Sequence, residues 1–210
     1  MMDKKELIES WFENHVAKHT ILKDDSGEEI ERIVWGKPDT NIYRTVYTLD
    51  KKYGNLIVIG DVGDAIFHWY GPVKGFGFFK NMDIQYFESK CLASENGKRD
   101  KEWDSDCAKE YFKDILTNGY EPDDDEKDES VQREEMWEFA EKRYKEIIDE
   151  YSESIFDCEY SYMNFLDNYG SEELGSEDYE CSNIGMVISL RCHSYLIGLK
   201  MACKQLGIFE

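Results

Sequence analysis

The spacing of apolar residues changes character twice along the chain. Over residues 3–18, Leu7, Trp11, Phe12 and Val16 fall near one face at helical spacing, which predicts an amphipathic helix. The period then shortens. RIVW (32–35), NIYRTVYTL (41–49), NLIVIGD (55–61) and DAIFHWY (64–70) are runs rich in β-branched and aromatic residues, bounded by the turn-forming GKPD, KKYGN and GDVGD. Such brief connections imply an antiparallel meander, because parallel crossovers need about a dozen linking residues. In the third run Leu56 and Val58 point to one face and Ile57 and Ile59 to the other, so this strand is expected to be central and covered on both sides.

After GPVKGFGFFKNM the helical period returns, with helices predicted over 84–94, 105–118, 129–151, 156–169 and 183–206. The last is apolar on more than one side (Ile184, Val187, Ile188, Leu196, Leu199), as a central core helix would be. The expected fold class is therefore α+β: an N-terminal helix, a short antiparallel sheet of about four strands, and a helical C-terminal half. Residues 1–120, an acidic loop at 121–128 and an acidic helical region at 129–210 are expected to form one compact unit.

Composition adds limits. A chain of 210 residues can bury a sizeable core, and 14% aromatic residues argue against disorder. No apolar run approaches the roughly 18 residues of a membrane span, and MMDKKELIESWFENH lacks a signal peptide's apolar centre, so a cytoplasmic protein without membrane contact is expected. Six cysteines without a C-x-x-C pair predict reduced thiols.

Charge changes the picture most. Of the formal −21, the stretch 121–135 carries nine acids and two bases, and 149–180 carries eleven acids with no Lys or Arg. The second stretch mixes its acids with Tyr151, Phe156, Tyr160, Tyr162, Phe165, Tyr169 and Tyr179, so it can fold and hold its charge in a fixed arrangement. Fixed like charges repel, and an ordered acidic surface points to a basic partner. Candidate partner-binding residues are Glu153, Asp157, Glu159, Asp167, Glu172, Glu173, Glu177, Asp178 and Glu180, with the aromatics as anchors between them. Asp123, Asp124, Asp125 and Glu126 in the loop would steer the encounter. Direct nucleic-acid binding is disfavoured, since no basic stripe meets the phosphates.

Other chemistry is weakly signalled. VIGDVGD resembles the GDVHG segment of metallophosphoesterases, but the chain lacks the histidine of that motif, an upstream D-x-H and a downstream GNH. The residue-level reading is a hairpin in which Asp61 and Gly63 supply turn conformations and His68 is an ordinary strand residue; a metal held by Asp61, Asp64 and His68 is the alternative. Cys181, Cys192 and Cys203 recur every eleven residues, about 16 Å apart on a helix, too far to share a zinc ion, and read as a small-residue stripe. There is no nucleophile elbow, no P-loop and no dinucleotide fingerprint, so neither cofactor nor metal is expected.

The run LIVIGDVGDAIFHW, with IQYFESKCLAS and a later EWD, resembles a group of small proteins encoded by bacteriophages and prophages of low-GC Gram-positive bacteria, over about 56–104. Small acidic phage proteins of this sort are similar in style to anti-CRISPR proteins, several of which present carboxylates in place of DNA phosphates. The resemblance implies a non-enzymatic inhibitor in the cytoplasm of a bacterial host, binding a basic nucleic-acid-binding protein or ribonucleoprotein effector. A regulatory module for another basic protein and, less favoured, a metal-dependent hydrolase are the alternatives.

Overall fold

The computed structural model describes residues 3–23, 27–95, 97, 100–117, 119–120, 128–174 and 185–209, the side chains of 171–174 excepted. The chain divides into two compact units: residues 1–102 with 188–210, and residues 103–187. The second is an insertion in the first, and the loop expected to separate two regions at 121–128 falls inside it.

The first unit is built on a six-stranded antiparallel sheet whose spatial order follows the sequence: β1 (Val16–Lys23), β2 (Glu29–Gly36), β3 (Thr45–Asp50), β4 (Asn55–Gly60), β5 (Ala65–His68) and β6 (Cys91–Ser94). Period-two burial marks β2 to β5 as strands. Thr45, Tyr47 and Leu49 of β3 and Leu56 and Val58 of β4 turn inward. Pairing stacks Ile33, Tyr47 and Val58 in one row, and Leu49, Leu56 and Phe67 in the next. Complete burial of each such side chain contributes about 1.5–3 kcal/mol.

Against the inner face pack α1 (Lys4–Trp11) and α6 (Leu190–Gln205), which bring Ile8, Cys192, Tyr195, Leu199, Ala202 and Cys203 into one core with the strands. The short α2 (Ile84–Glu88), N-capped by Asp83 accepting from Tyr86 N at 2.7 Å, adds Phe87, which lies 4.2 Å from the Phe67 ring.

Several expectations need correction. The sheet has six strands instead of about four. The first helix stops at Trp11, and the expected 84–94 helix ends at Glu88, with β6 following. Val16–Lys23 becomes a strand because its backbone pairs with β2, although most of its side chains are exposed. Strand β4 is internal but covered on one side only, for Ile57 and Ile59 are exposed. The last helix begins at Leu190; β8 (Met186–Ile188) precedes it, and β7 (Lys101–Trp103) pairs with β8 in a separate two-stranded sheet. Cys192 and Cys203 are buried on α6, while Cys181 lies outside the described residues.

The second unit is helical: α3 (Ser105–Thr117), α4 (Glu129–Tyr151), a 3-10 turn (Glu153–Phe156) and α5 (Glu159–Leu174). Ala108, Phe112 and Leu116, four residues apart on α3, meet Ala140 and Ile147 of α4 and Tyr162, Phe165 and Leu166 of α5. Phe112 is the hub, with its ring centroid 5.4 Å from Phe156, 6.1 Å from Tyr162 and 5.9 Å from Phe165. Acids fix the helix starts: Asp104 accepts from Asp106 N and Cys107 N, both at 3.0 Å, and Asp128 from Ser130 N at 2.8 Å. No helix among the described residues is long and apolar enough to cross a membrane.

Candidate interaction surface

The unit division sorts the charge. Residues 1–102 and 188–210 hold 19 acids and 18 bases, net −1, whereas residues 103–187 hold 27 acids and 7 bases, net −20. Nearly all of the −21 therefore belongs to the inserted helical unit.

Within it, α5 carries four acids and no Lys or Arg, whereas α4 mixes eight acids with four bases. Its inward face presents Tyr162, Phe165 and Leu166 to the aromatic core, and Tyr151 stacks obliquely on Tyr169 with centroids 4.7 Å apart. The opposite face, at three- and four-residue spacing, presents Tyr160, Asn164, Asp167 and Asn168, all exposed. Asp157 and Glu159, also exposed, lie at the N-terminal approach, and Glu159 and Asp167 are about 12 Å apart along the helix axis. None of these three carboxylates has an ion-pair partner among the described residues.

The predicted residues thus separate. Asp157 lies in the turn before α5 and Glu159 and Asp167 lie on it, all three exposed, while Glu153 is tied to Lys109 Nζ at 2.7 Å. That pair raises the lysine's pKa, chiefly through the hydrogen bond to Glu153. Glu172 and Glu173 belong to α5, which runs to Leu174, but their side chains lie outside the described residues. Glu177, Asp178, Glu180, Asp123, Asp124, Asp125 and Glu126 also fall outside them. The anchoring role expected of the aromatics needs correction: Phe156, Tyr162 and Phe165 are buried in the unit's own core, which leaves Tyr160, 80% exposed, and to a lesser degree Tyr169 as rings offered outward among the described residues.

The β4–β5 hairpin has the turn chemistry its residues predict. Gly63 takes φ +110°, Gly63 N donates to Gly60 O at 2.9 Å, and the Asp64 carboxylate accepts from Gly60 N at 3.1 Å. His68 Nδ1 lies 2.8 Å from Asn55 Oδ1 across the sheet. No three His, Cys, Asp or Glu side chains among the described residues are grouped to hold a metal ion.

One concave site escaped the sequence reading. A groove of about 1160 Å³ in the first unit, beside α1, α6 and the Lys80 turn, is rimmed by Lys5, Lys80, Lys200 and Lys204. Its only sequence signal is the pairing of Ile197 and Met201 with Lys200 and Lys204, each four residues apart on α6. Lys5 and Lys80 reach the same place from remote segments, which no local pattern records.

No protein family, curated protein or solved structure matches the chain.

Proposed function

We propose that the protein is a non-enzymatic inhibitor whose acidic helical unit occupies the nucleic-acid-binding surface of a basic partner, such as a ribonucleoprotein effector of a bacterial defence system. The observation that supports this reading is the segregation of net −20 into residues 103–187, with carboxylates on and just before α5 that have no ion-pair partner among the described residues. A channel built for a polyanion holds Lys and Arg, to which Asp and Glu offer charge-assisted, partly bidentate contacts. Ordered carboxylates lose little further freedom on docking, so more of the contact energy remains as affinity. Tyr160 supplies a rigid aromatic contact among them. The resemblance of 56–104 to phage-encoded proteins accords with an anti-defence role.

The test is capture on the immobilised protein from host lysate, eluted with duplex DNA and separately with rising salt. Nucleic-acid-binding proteins released by DNA are expected, and the combined Asp157→Lys, Glu159→Lys and Asp167→Lys variant should retain none of them. Partners that DNA does not displace, and that the variant holds as well as the wild type, would replace this reading with a regulatory module acting elsewhere on the molecule.

A further inference from the structure

The lysine-rimmed groove of the first unit is out of character for an acidic protein. Four lysines border it against two acids, Glu9 and Glu13, in a unit of net −1. Lys200 and Lys204 stand one helical turn apart, a like-charge arrangement that costs an isolated helix about 0.2–0.5 kcal/mol.

The lysines are incompletely satisfied. Lys200 Nζ donates to Met82 O at 2.7 Å and Lys80 Nζ to Phe209 O, so each ammonium keeps donors in reserve. Lys5 approaches Glu9 only to 3.8 Å, and Lys204 is exposed with no side-chain partner among the described residues. Burial holds the Lys200 pKa below the usual lysine value, the sign of an ammonium short of solvent. Beneath the lysines lie half-buried Ile197, Met201 and Phe209, together with Trp35, whose Nε1–H has no hydrogen-bond partner at 3% exposure. The groove therefore combines an apolar floor with a cationic rim.

We propose that this groove binds a small amphipathic anion, its phosphate or carboxylate head held by Lys200, Lys204, Lys5 and Lys80 and its apolar body laid on Ile197, Met201 and Phe209. The volume suits one ligand of drug-like size with room for water. The head group would complete the lysines' hydrogen bonding and relieve their mutual repulsion, while the body would cover apolar surface now open to solvent. A free molecule is favoured over a membrane lipid, because a protein of net −21 is repelled by anionic bilayers.

Calorimetric titration of the full chain tests this with decyl phosphate and decanoate below their micelle concentrations, and with decanol and inorganic phosphate as the separated halves. One saturable site for decyl phosphate or decanoate is expected, with each half binding at least about tenfold more weakly. Lys204→Glu, at an exposed position, should weaken binding by about tenfold or more without changing the melting temperature, and Lys200→Met should act in the same direction. If Lys200→Met fails to fold through loss of its Met82 contact, Lys204→Glu decides alone. Decanol binding as tightly as decyl phosphate, inorganic phosphate doing so, or an unaffected Lys204→Glu variant would each overturn the proposal. Cosedimentation with phosphatidylglycerol vesicles without binding of the single-chain ligands would overturn it too, by assigning the groove to a bilayer.

Discussion

The Ser189 hydroxyl donates to the fully buried Asp100 carboxylate at 2.6 Å and accepts from Cys192 N at 2.9 Å. Ser189 N also donates to Asp100 O at 3.0 Å, so one serine both caps α6 and anchors it to the segment preceding β7. Ser189→Ala removes the cap and a hydrogen-bond donor to the buried Asp100 side chain. A loss of about 2–4 kcal/mol is expected in urea unfolding, with Ser189→Thr recovering part of it. A loss below about 0.5 kcal/mol would show that the pair contributes little.

Gly63 meets α6 where a side chain has no room. A Cβ there would lie 2.6 Å from Arg191 Cδ and 2.7 Å from Tyr195 Oη, on a backbone at φ +110°. Gly63→Ala is expected to cost about 2–4 kcal/mol, the sum of strain and overpacking. Gly27→Ala is the control: its φ is also positive, +83°, but nothing lies within 4 Å of the added carbon. Equal losses for the two substitutions would remove the contact from the explanation.

Glu29 links pH to the sheet edge. Hydrogen bonds from Lys51 at 2.6 Å and Lys23 at 3.0 Å hold its carboxyl down at about 2, against an ordinary 4.5. Its contribution to stability is present above pH 4.5 and is lost as pH falls from there towards about 2. Across that window Glu29→Gln should show a shallower decline in melting temperature than the wild type, with the difference reduced in high salt. Parallel curves would refute the assignment.

The thiols should divide by burial. Cys158 is exposed, and its hydrogen bonds from Ser161, side chain first, hold its pKa below the usual thiol value. Burial pushes Cys91 up to about 11 and Cys203 to about 12, and raises Cys192 as well. Iodoacetamide at neutral pH should label Cys158 first and leave those three protected until denaturant is added. Peptide mapping that finds Cys192 labelled in the native protein at the rate of Cys158 would contradict the packing of α6.

Two tyrosines on α5 should respond in opposite ways. Tyr162 is buried against Trp103, Phe112 and Phe156, so Tyr162→Ala should cost about 3–5 kcal/mol. Tyr160 is 80% exposed, so Tyr160→Ala should change stability by no more than about 0.5 kcal/mol while weakening partner capture. Unchanged capture would remove Tyr160 from the proposed interaction surface.

The sequence by itself determined the elements whose signals are local. The Glu129–Tyr151 helix emerges with the bounds its period predicts, β2 to β5 fall within a few residues of their alternating runs, and the turn at Gly63 follows from its composition. Charge clustering was legible for the same reason: it is a property of neighbours in the chain. Tertiary structure decided the rest. Val16–Lys23 and Cys91–Ser94 are strands because β2 and β5 offer them backbone partners, and hydrogen bonds to a remote strand leave no period in the paired segment. The same holds for exposure: Phe156 and Tyr160 are both aromatic residues in an acidic run, and only packing around Phe112 buries one and leaves the other in solvent. The groove is the extreme case, since Lys5 and Lys204 border one cavity from opposite ends of the chain, and their proximity exists only once α1 and α6 pack on the same face of the sheet.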